Sequence, residues 1–239
     1  MSDIELFELK NISSKAVDDL VFPTELSAWK YSDLELKDCD THFGYVFSGS
    51  ATLRCSSGTF LLNQGMYFCV PGDATIVGDD SSGFVASRLG WLGLFQIGGP
   101  IETQGRLTYI DGCSDSLLIA PPVVGDPCLN LLYLPPDTQQ TEHVHPSCRL
   151  GIVADGTGIC RTPTGEHPLK PGVLFIIPPD AKHSFHTVKS AMRVIAWHPD
   201  TDFGPNHRNH PMINRTIVNG ESAATLTSLH TLSTMEKEK

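Results

Sequence analysis

Apolar residues along this chain occur in short runs that are separated by turn-forming residues. From about Gly44, three such runs read YVFSGSATLRC, TFLLNQGMYFCVPGDATIVG and WLGLFQIG. Runs that are rich in β-branched and aromatic residues and that end at Gly, Pro or Asp are typical of β-strands joined by tight turns. Long stretches with the apolar period of an amphipathic helix are absent. The pattern therefore predicts an all-β protein.

The chain on either side of these runs carries weaker signals. Residues 1–35 mix short polar and apolar groups around Pro23 and Trp29, which predicts an irregular arm that packs on the β structure. The stretches SLLIAPPVV and LNLLYL, within 112–134, predict further strands, as does MRVIAWHPD later in the chain. Residues 223–239 predict a short amphipathic helix or a frayed end.

An internal repeat appears when the chain is aligned with itself so that Val46 lies on Val153. Without a gap, six further identities then follow: Gly49 on Gly156, Gly65 on Gly172, Phe68 on Phe175, Pro71 on Pro178, Asp73 on Asp180 and Ala74 on Ala181. Gly and Pro recur in any β protein because of turn chemistry, but this many identities at one offset favour a true repeat. The repeat predicts two tandem barrels, with domains at 1–112 and 113–239.

Composition narrows the class of protein and of partner. The chain has 239 residues, of which 40% are hydrophobic and 18% are charged, values that are ordinary for a globular protein of one large or two small domains. The formal net charge is -10, and no cluster of Lys or Arg is present. Both features argue against a nucleic acid or an anionic membrane as partner.

Location and redox state follow from what the sequence lacks. No segment resembles a signal peptide, and no apolar run approaches the roughly 18 residues of a membrane span, so the expected location is the cytoplasm. The Cys residues number 7, an odd count, and they lack CxxC spacing. This predicts reduced thiols and not a disulfide framework.

Three histidines form the candidate chemical centre. In a strand, His143 and His145 project to the same face, because side chains two residues apart point the same way. The apolar run from Val173 to Ile177 predicts a buried strand, and a Pro-Pro-Asp turn follows it. His183 comes shortly after this turn. Three neutral imidazoles suit iron, copper, zinc or nickel and leave coordination positions open for water, oxygen or substrate.

These motifs resemble those of the cupin superfamily. The HxH of the first family motif matches His143 and His145, its Gly matches Gly156, and the second motif matches at Gly172, Pro178 and His183. Asp180 stands where a Gly is usual, and the family's metal-binding Glu position falls on Arg149. The resemblance implies jelly-roll barrels and three of the family's four metal ligands. It implies little about activity, since cupins include dioxygenases, isomerases, lyases, storage proteins and sensors.

The repeat allows a comparison between the two halves. His143, His145 and His183 correspond to Leu36, Asp38 and Ile76, which cannot form the same metal site. The N-terminal barrel is therefore predicted to be structural and without a metal, either covering the mouth of the second barrel or forming the interface of a homodimer. Its lone histidine, His42, is predicted to be hydrogen-bonded or at the surface.

Other polar residues near the motifs are predicted to lie outside the ligand set. On regular strands, Glu142 points away from the His pair and His186 faces the opposite side from His183, either behind the ligands or at the surface. Three later histidines, His198, His207 and His210, have no spacing that aims them at one point. They are predicted to be surface or capping residues on a tail that wraps the barrel.

Arg149 is the residue on which the mechanism depends. A guanidinium has no lone pair to give a cation, so the site has three His ligands, similar to cupins of the thiol dioxygenase and diketone-cleaving types. If Arg149 points inward, it favours an anionic substrate whose carboxylate it binds with two hydrogen bonds. If it points outward, it is a surface side chain.

The sequence favours a mononuclear non-haem Fe(II) dioxygenase that acts on a small acidic organic molecule, with His143, His145 and His183 as ligands and Arg149 as the catalytic substrate-binding residue. One alternative is an isomerase, lyase or hydrolase with Zn, Ni or Mn; Cu is a further possible metal. Another is a non-catalytic sensor that binds a small molecule. The sequence contains no DNA-binding motif such as a helix-turn-helix, which argues against a sensor that regulates transcription.

Overall fold

The computed structural model describes residues 4–201, 217–218 and 221–222. The chain divides into two compact units, Met1–Asp200 and Thr201–Lys239. Apart from one 3-10 turn, Ile110–Gly112, every regular element among the described residues is a β-strand. The predicted all-β class is confirmed.

Eleven strands come from the first part of the larger unit: β1 (Glu5–Glu8), β2 (Ile12–Ala16), β3 (Thr24–Lys30), β4 (Leu34–Leu36), β5 (Thr41–Ser48), β6 (Ser50–Cys55), β7 (Gly58–Asn63), β8 (Tyr67–Pro71), β9 (Ala74–Val77), β10 (Ser82–Arg88) and β11 (Gln96–Gly98). The rest of that unit adds β12 (Leu107–Thr108), β13 (Ser114–Ile119), β14 (Cys128–Leu134), β15 (Arg149–Gly156), β16 (Gly158–Thr162), β17 (Gly165–Leu169), β18 (Val173–Ile177), β19 (Ser184–His186) and β20 (Met192–His198). In the smaller unit, β21 (Ile217–Val218) pairs with β22 (Glu221–Ser222). The predicted tail histidines His207 and His210, and the predicted helix at 223–239, lie outside the described residues.

Each half of the larger unit contains one large and one small antiparallel sheet. In the first half, a six-stranded sheet has the order β11-β8-β5-β10-β3-β2 and a four-stranded sheet the order β4-β9-β6-β7. In the second half, a seven-stranded sheet has the order β1-β18-β15-β20-β14-β13-β12 and a three-stranded sheet the order β17-β16-β19. The crossovers between non-consecutive strands are those of a jelly roll.

Three apolar cores hold these sheets together. One lies inside the first half and includes Trp29 and Phe68, and a second lies inside the second half and includes Phe175. The third lies between the two large sheets, where Phe43 of β5 contacts Trp197 of β20 at a ring-centroid distance of 6.0 Å. Each fully buried aromatic or aliphatic side chain contributes roughly 1.5–3 kcal/mol, so the third core joins the halves firmly.

The internal repeat has a counterpart in packing. Phe68 of β8 lies over Gly44 of β5, where an added Cβ would lie 2.1 Å from the Phe68 ring. Phe175 of β18 lies over Gly151 of β15 in the same way, with the corresponding distance 2.5 Å. Only a glycine leaves room for the ring at these positions, so both halves use the same strand-to-strand contact.

The predicted irregular arm at residues 1–35 is wrong, because this segment forms strands. Leu6 of β1 pairs with Phe175 of β18, which places the N-terminal strand in the large sheet of the second half. The backbone N–H of Leu9 also donates to Gly172 O at 3.1 Å. The stretch ELFE is short and its burial is partial, so its apolar pattern is weak; the exposed edge of β18 supplies the pairing that makes it a strand.

Two further features concern the whole larger unit. The seven cysteines are free thiols. Among the residues that the structure describes, no helix has the length and apolarity that crossing a membrane would require.

The run WLGLFQIG, predicted as a strand, contributes only Gln96–Gly98, whereas SLLIAPPVV and LNLLYL supply β13 and β14 as predicted.

Candidate metal centre

The predicted ligands His143 and His145 lie on an extended segment just before β15. The predicted regular strand at this point is wrong: His143 forms only an isolated antiparallel bridge, in which its backbone exchanges two hydrogen bonds with His183, each 3.0 Å long. Pro135, Pro136 and Pro146 flank the segment and lack the N–H groups that a continuous ladder requires. This bridge brings the two motifs together, and the backbone N–H of Asp180 adds a hydrogen bond to His145 O at 2.8 Å.

The three imidazoles converge as the spacing predicted. Their ring centroids are 4.9 Å apart for His143 and His145, 4.5 Å for His143 and His183, and 5.2 Å for His145 and His183. One possible ligand atom from each ring lies within 4.8 Å of the others. A metal about 2.1 Å from each nitrogen fits this set after small ring rotations.

Backbone carbonyls determine which ring nitrogen faces a metal. The Nδ1 atom of His143 lies 2.8 Å from Thr141 O, and that of His183 lies 2.9 Å from Ala181 O. A carbonyl oxygen only accepts, so both Nδ1 atoms carry the proton and donate. The lone pair of each ring is therefore on Nε2, the arrangement that holds a metal-binding imidazole in place.

Burial keeps the imidazoles of His145 and His183 neutral, as metal binding requires. It lowers the pKa of His183 to about 3, with His143 and Arg149 contributing smaller effects, and the Ala181 carbonyl acting in the opposite direction. Burial also places the pKa of His145 well below its usual value, and the Arg149 charge lowers it further. Both rings are thus available as ligands at neutral pH.

Arg149, whose orientation the sequence left open, points into the protein. It is 4% exposed and lines the cavity beside the three imidazoles. Its Nη1 donates to Ser147 Oγ, to Cys148 O at 2.9 Å and to Asp200 Oδ1 at 3.2 Å. Its Nε is buried and has no hydrogen-bond partner among the described residues. Asp200 therefore balances the charge while one edge of the guanidinium remains unpaired.

His198 also lies in this cavity, and its prediction as a surface or capping residue is wrong. Its ring centroid is 6.4 Å from that of His145, and burial followed by the Arg149 charge places its pKa well below the usual value. The signal was present in MRVIAWH, because Ile195 and Trp197 face the core between the large sheets while Ala196 and His198 face the cavity.

The other polar residues near the motifs stay outside the cavity. His186 is 8% exposed and its Nε2 lies 2.7 Å from Ser184 Oγ, on the face of β19 opposite to the cavity-lining Phe185. Glu142 is exposed and lies 3.6 Å from Lys182 Nζ. His42 is hydrogen-bonded, as one alternative predicted: its ring nitrogens lie 2.7 Å from Ser87 Oγ and 2.9 Å from Lys37 O.

The corresponding positions of the first half carry no such cluster. Leu36 and Ile76 are buried in the core of that half, and Asp38 accepts a hydrogen bond from the Cys39 backbone at 2.7 Å. Within the described ranges, the His143, His145 and His183 group is the one set of three side chains close enough to share a metal.

The cavity beside the imidazoles has a volume of about 50 Å³, which is space for a few atoms the size of water. One wall is the inner face of the seven-stranded sheet and consists of Asp115, Asn130, Leu132, Arg149, Phe175, Ile177, Ala196 and His198. The facing wall consists of Tyr109, Gln140, His143, His145, His183 and Phe185. The site is thus small, with apolar side chains between polar ends.

Comparisons with known proteins agree with this geometry. Residues 135–208 match the family model described as AraC-like ligand binding domain. No match was found among curated proteins.

Solved structures with the same fold cover most of the chain. A putative glyoxylate-induced protein from Pseudomonas aeruginosa has a TM-score of 0.63 and 10% identity, covering 86% of this chain and 91% of its own. Salicylate 1,2-dioxygenase from Pseudaminobacter salicylatoxidans has a TM-score of 0.61 and 10% identity, with coverages of 82% and 83%. A cupin 2 conserved barrel domain protein from Leptotrichia buccalis has a TM-score of 0.56 and 12% identity, with coverages of 83% and 90%. The chain therefore has the jelly-roll fold of the cupins.

Proposed function

We propose that the chain folds as two tandem barrels, 1–112 and 113–239, of which the second holds one metal ion. Two observations support this division: each half has its own pair of sheets around an apolar core, and the Gly–Phe contact recurs in both. β1 and β12 are exceptions, since both belong to 1–112 and join the large sheet of the second half. Leu36, Asp38 and Ile76 stand at the ligand positions of the first half, which supports a single site.

The ligands in this proposal are His143, His145 and His183, and the metal is a divalent transition ion, with Fe(II) preferred over Zn, Ni, Mn or Cu. The observation that carries the proposal is the convergence of three imidazoles, whose possible ligand atoms all lie within 4.8 Å of one another. Carbonyl contacts at Nδ1 orient two of the rings. Imidazole nitrogens suit Fe, Zn, Ni and Cu and are less typical of Mn, so metal supply also determines which ion the site holds.

The reaction we propose is dioxygenation of a small organic acid. Bound Fe(II) supplies the electron-transfer chemistry with oxygen that protein side chains lack. The chain itself binds and orients the acid and excludes bulk water with the apolar walls of the cavity, among them Phe175, Ile177 and Phe185. A structural neighbour, salicylate 1,2-dioxygenase, is by name an enzyme of this reaction class, and it was also solved with gentisate.

Arg149 is the residue that we propose to bind the acid. Its Nη1 is already held by Ser147, Cys148 and Asp200, which fixes the plane of the guanidinium. A buried donor without a partner costs about 1–3 kcal/mol, and Nε is such a donor. A carboxylate that accepts from Nε and the adjacent Nη2 relieves this cost with the two parallel hydrogen bonds that arginine favours.

A second candidate is a protein that binds a small molecule without turning it over. The match of residues 135–208 to an AraC-like ligand binding domain favours this candidate.

An isomerase, lyase or hydrolase in which Zn, Ni or Mn acts as a Lewis acid uses the same ligands and differs only in the metal that supports turnover. The homodimer and the cytoplasmic location stay predictions from the sequence.

Metal content and oxygen uptake test these proposals together. We expect about one transition-metal ion per chain in the wild type and a loss of at least about tenfold in metal affinity for His143→Ala or His183→Ala, since each removes one of three ligands. The matched control is His167→Ala, which removes a histidine of the same half that lies outside the cavity. Two ions per chain, or full metal content in both ligand variants, would contradict the site.

The same preparations separate the candidate functions. If the protein is a dioxygenase, the Fe(II) form consumes oxygen with a small carboxylic acid, and the Zn(II) form binds that acid without consuming oxygen. Equal turnover by both forms would assign Lewis-acid chemistry. Binding of an acid without turnover by any metal form would assign the non-catalytic function.

A further inference from the structure

Two polar side chains of the cavity have no role in the proposed metal site. Asp115 lies on β13 and Asn130 on the neighbouring strand β14, and both line the cavity. The amide Nδ2 of Asn130 donates to Asp115 Oδ2 at 2.9 Å, which holds the two groups side by side. Together they form a polar end to the cavity within an otherwise apolar part of the sheet.

Each of these side chains has an oxygen without a donor. Asp115 Oδ1 and Asn130 Oδ1 are buried and have no hydrogen-bond partner in the described part of the chain. Folded proteins leave few buried polar atoms unsatisfied, and each costs about 1–3 kcal/mol. Two acceptors without donors in one cavity therefore indicate a donor beyond the described residues, such as a polar group of a bound small molecule.

The Asp115 carboxylate also has no cation beside it. Burial raises its pKa to about 6, against smaller lowering effects from the hydrogen bonds of Asn130 and of the Ser116 backbone. No ion pair with Asp115 occurs among the residues described. A ligand group that carries hydrogen-bond donors, charged or neutral, fits this environment.

The register of the large sheet places the two polar ends on the same face of that sheet. Asn130 of β14 pairs with Ala196 of β20, which pairs with Gly151 of β15, two residues along from Arg149. Two strand spacings separate β14 from β15, or roughly 10 Å between backbones. Strand side chains stand roughly perpendicular to the sheet, so the flexible Arg149 side chain and the ligand together span this lateral distance inside the cavity that both polar ends line.

We propose that Asp115 and Asn130 form a second binding subsite, which accepts hydrogen bonds from an amino or hydroxyl group on the same small acid whose carboxylate pairs with Arg149. The substrate is accordingly a short amino acid or hydroxy acid. This inference rests on the proposed binding of an organic acid and adds the group that its other end must carry.

The test is a comparison of matched ligands on the full-length protein loaded with Zn(II), so that binding is measured without oxygen chemistry. The probes are straight-chain carboxylic acids of about three to six carbons, each in three forms: unsubstituted, with a terminal hydroxyl and with a terminal amino group. At the fitting length, we expect at least one donor-bearing acid to bind about tenfold more tightly than its unsubstituted counterpart, the value of one well-formed buried hydrogen bond. Isothermal titration calorimetry measures each affinity.

Two variants assign the preference to the subsite. Asp115→Asn removes the charge and retains an oxygen acceptor, so the preference for the amino acid is expected to fall about tenfold and that for the hydroxy acid to fall less. Asn130→Leu removes the second acceptor and lowers both preferences. In each variant the preference is calculated against that variant's own affinity for the unsubstituted acid, so a general change in acid binding does not enter it, and metal content is measured on the same preparation. Asp73→Asn, an exposed Asp of the first half, is the matched control.

The outcomes separate this inference from the proposed function. If the wild type binds acids with or without a terminal donor equally well, or if its preference survives both variants, the subsite is overturned and the acid site stands. If no acid binds but a simple amine or alcohol binds and depends on Asp115, the subsite stands and the acid site is overturned. If none of these probes binds, both are overturned.

Discussion

Arg149 and Asp200 show how a single substitution in a motif changes the chemistry of a site. Their side chains are 5% and 19% exposed and form an ion pair at 3.2 Å. A buried pair of this kind adds little net stability, because desolvation of both charges offsets their attraction. The pair does position the guanidinium beside the imidazoles, at the position where cupin motifs usually carry a carboxylate ligand. The side chain that stands there donates hydrogen bonds and has no lone pair for a metal.

Replacing Arg149 by lysine tests the two-pronged geometry separately from the charge. Arg149→Lys keeps the positive charge and loses the planar fork. We expect the affinity for small carboxylic acids to fall about tenfold and the metal content to stay unchanged. Calorimetry and metal analysis on the same preparation measure both. Arg161→Lys, an exposed arginine of the same half that pairs with Glu166 at 2.8 Å, is the control. Equal affinity of the wild type and Arg149→Lys for these acids would show that the paired hydrogen bonds of the guanidinium do not contribute to acid binding.

At the scale of elements, the contact between β15 and β18 links packing to the site. Phe175 lies over Gly151 and also lines the cavity, so the glycine determines where the cavity wall stands. The equivalent contact between β5 and β8, Phe68 over Gly44, lies in the core of the first half. The same Gly–Phe contact therefore stabilises the core in the first half and determines the shape of the cavity in the second half.

This difference predicts distinct effects for two matched variants. Gly151→Ala puts a methyl group 2.1 Å from Ile195 O and 2.5 Å from the Phe175 ring, and Gly44→Ala puts one 2.1 Å from the Phe68 ring. Overpacking of this kind costs about 1–3 kcal/mol, so both variants should unfold at lower temperature. Only Gly151→Ala should also weaken ligand binding at the metal centre, because only it displaces a cavity wall. Thermal unfolding and calorimetry on both proteins give the comparison, and unaltered binding by Gly151→Ala would contradict the role of Phe175.

At the scale of the whole larger unit, the two halves are joined by shared structure. The core between the two large sheets includes Phe43 and Trp197. β1, from the start of the chain, forms one edge of the seven-stranded sheet, whose inner face lines the cavity beside the three imidazoles. A core of this size makes separate unfolding of the halves costly, since each would expose its face of the large sheet to water.

The shared core predicts one cooperative unfolding transition. Phe43→Ala, on β5 of the first half, is expected to cost about 3–5 kcal/mol and to lower the temperature at which the second half releases its metal. Circular dichroism follows the strands and a metal-sensitive dye follows the release. Leu61→Ala, at a side chain that is 65% exposed, is the control and should change neither. Two separate transitions, with metal release unaffected by Phe43→Ala, would show that the halves unfold independently.

The sequence by itself determined the fold class and indicated which three histidines lie together. Short apolar runs bounded by Gly and Pro suffice to predict strands, because side-chain alternation and turn chemistry are local properties. The HxH spacing and the apolar run before His183 suffice to predict three converging imidazoles, because the motif fixes which residues bear the ligands.

Tertiary structure decided the rest, because burial and pairing depend on residues far apart in the chain. The orientation of Arg149 follows from Asp200, which comes after five further strands, β16 to β20, in the chain. The place of His198 follows from the face of β20 that meets the cavity. The N-terminal arm became a strand because the edge of β18 was there to pair with it. Asp115 and Asn130 carry no motif, and only the meeting of β13 with β14 inside the cavity brings their unpaired oxygens together.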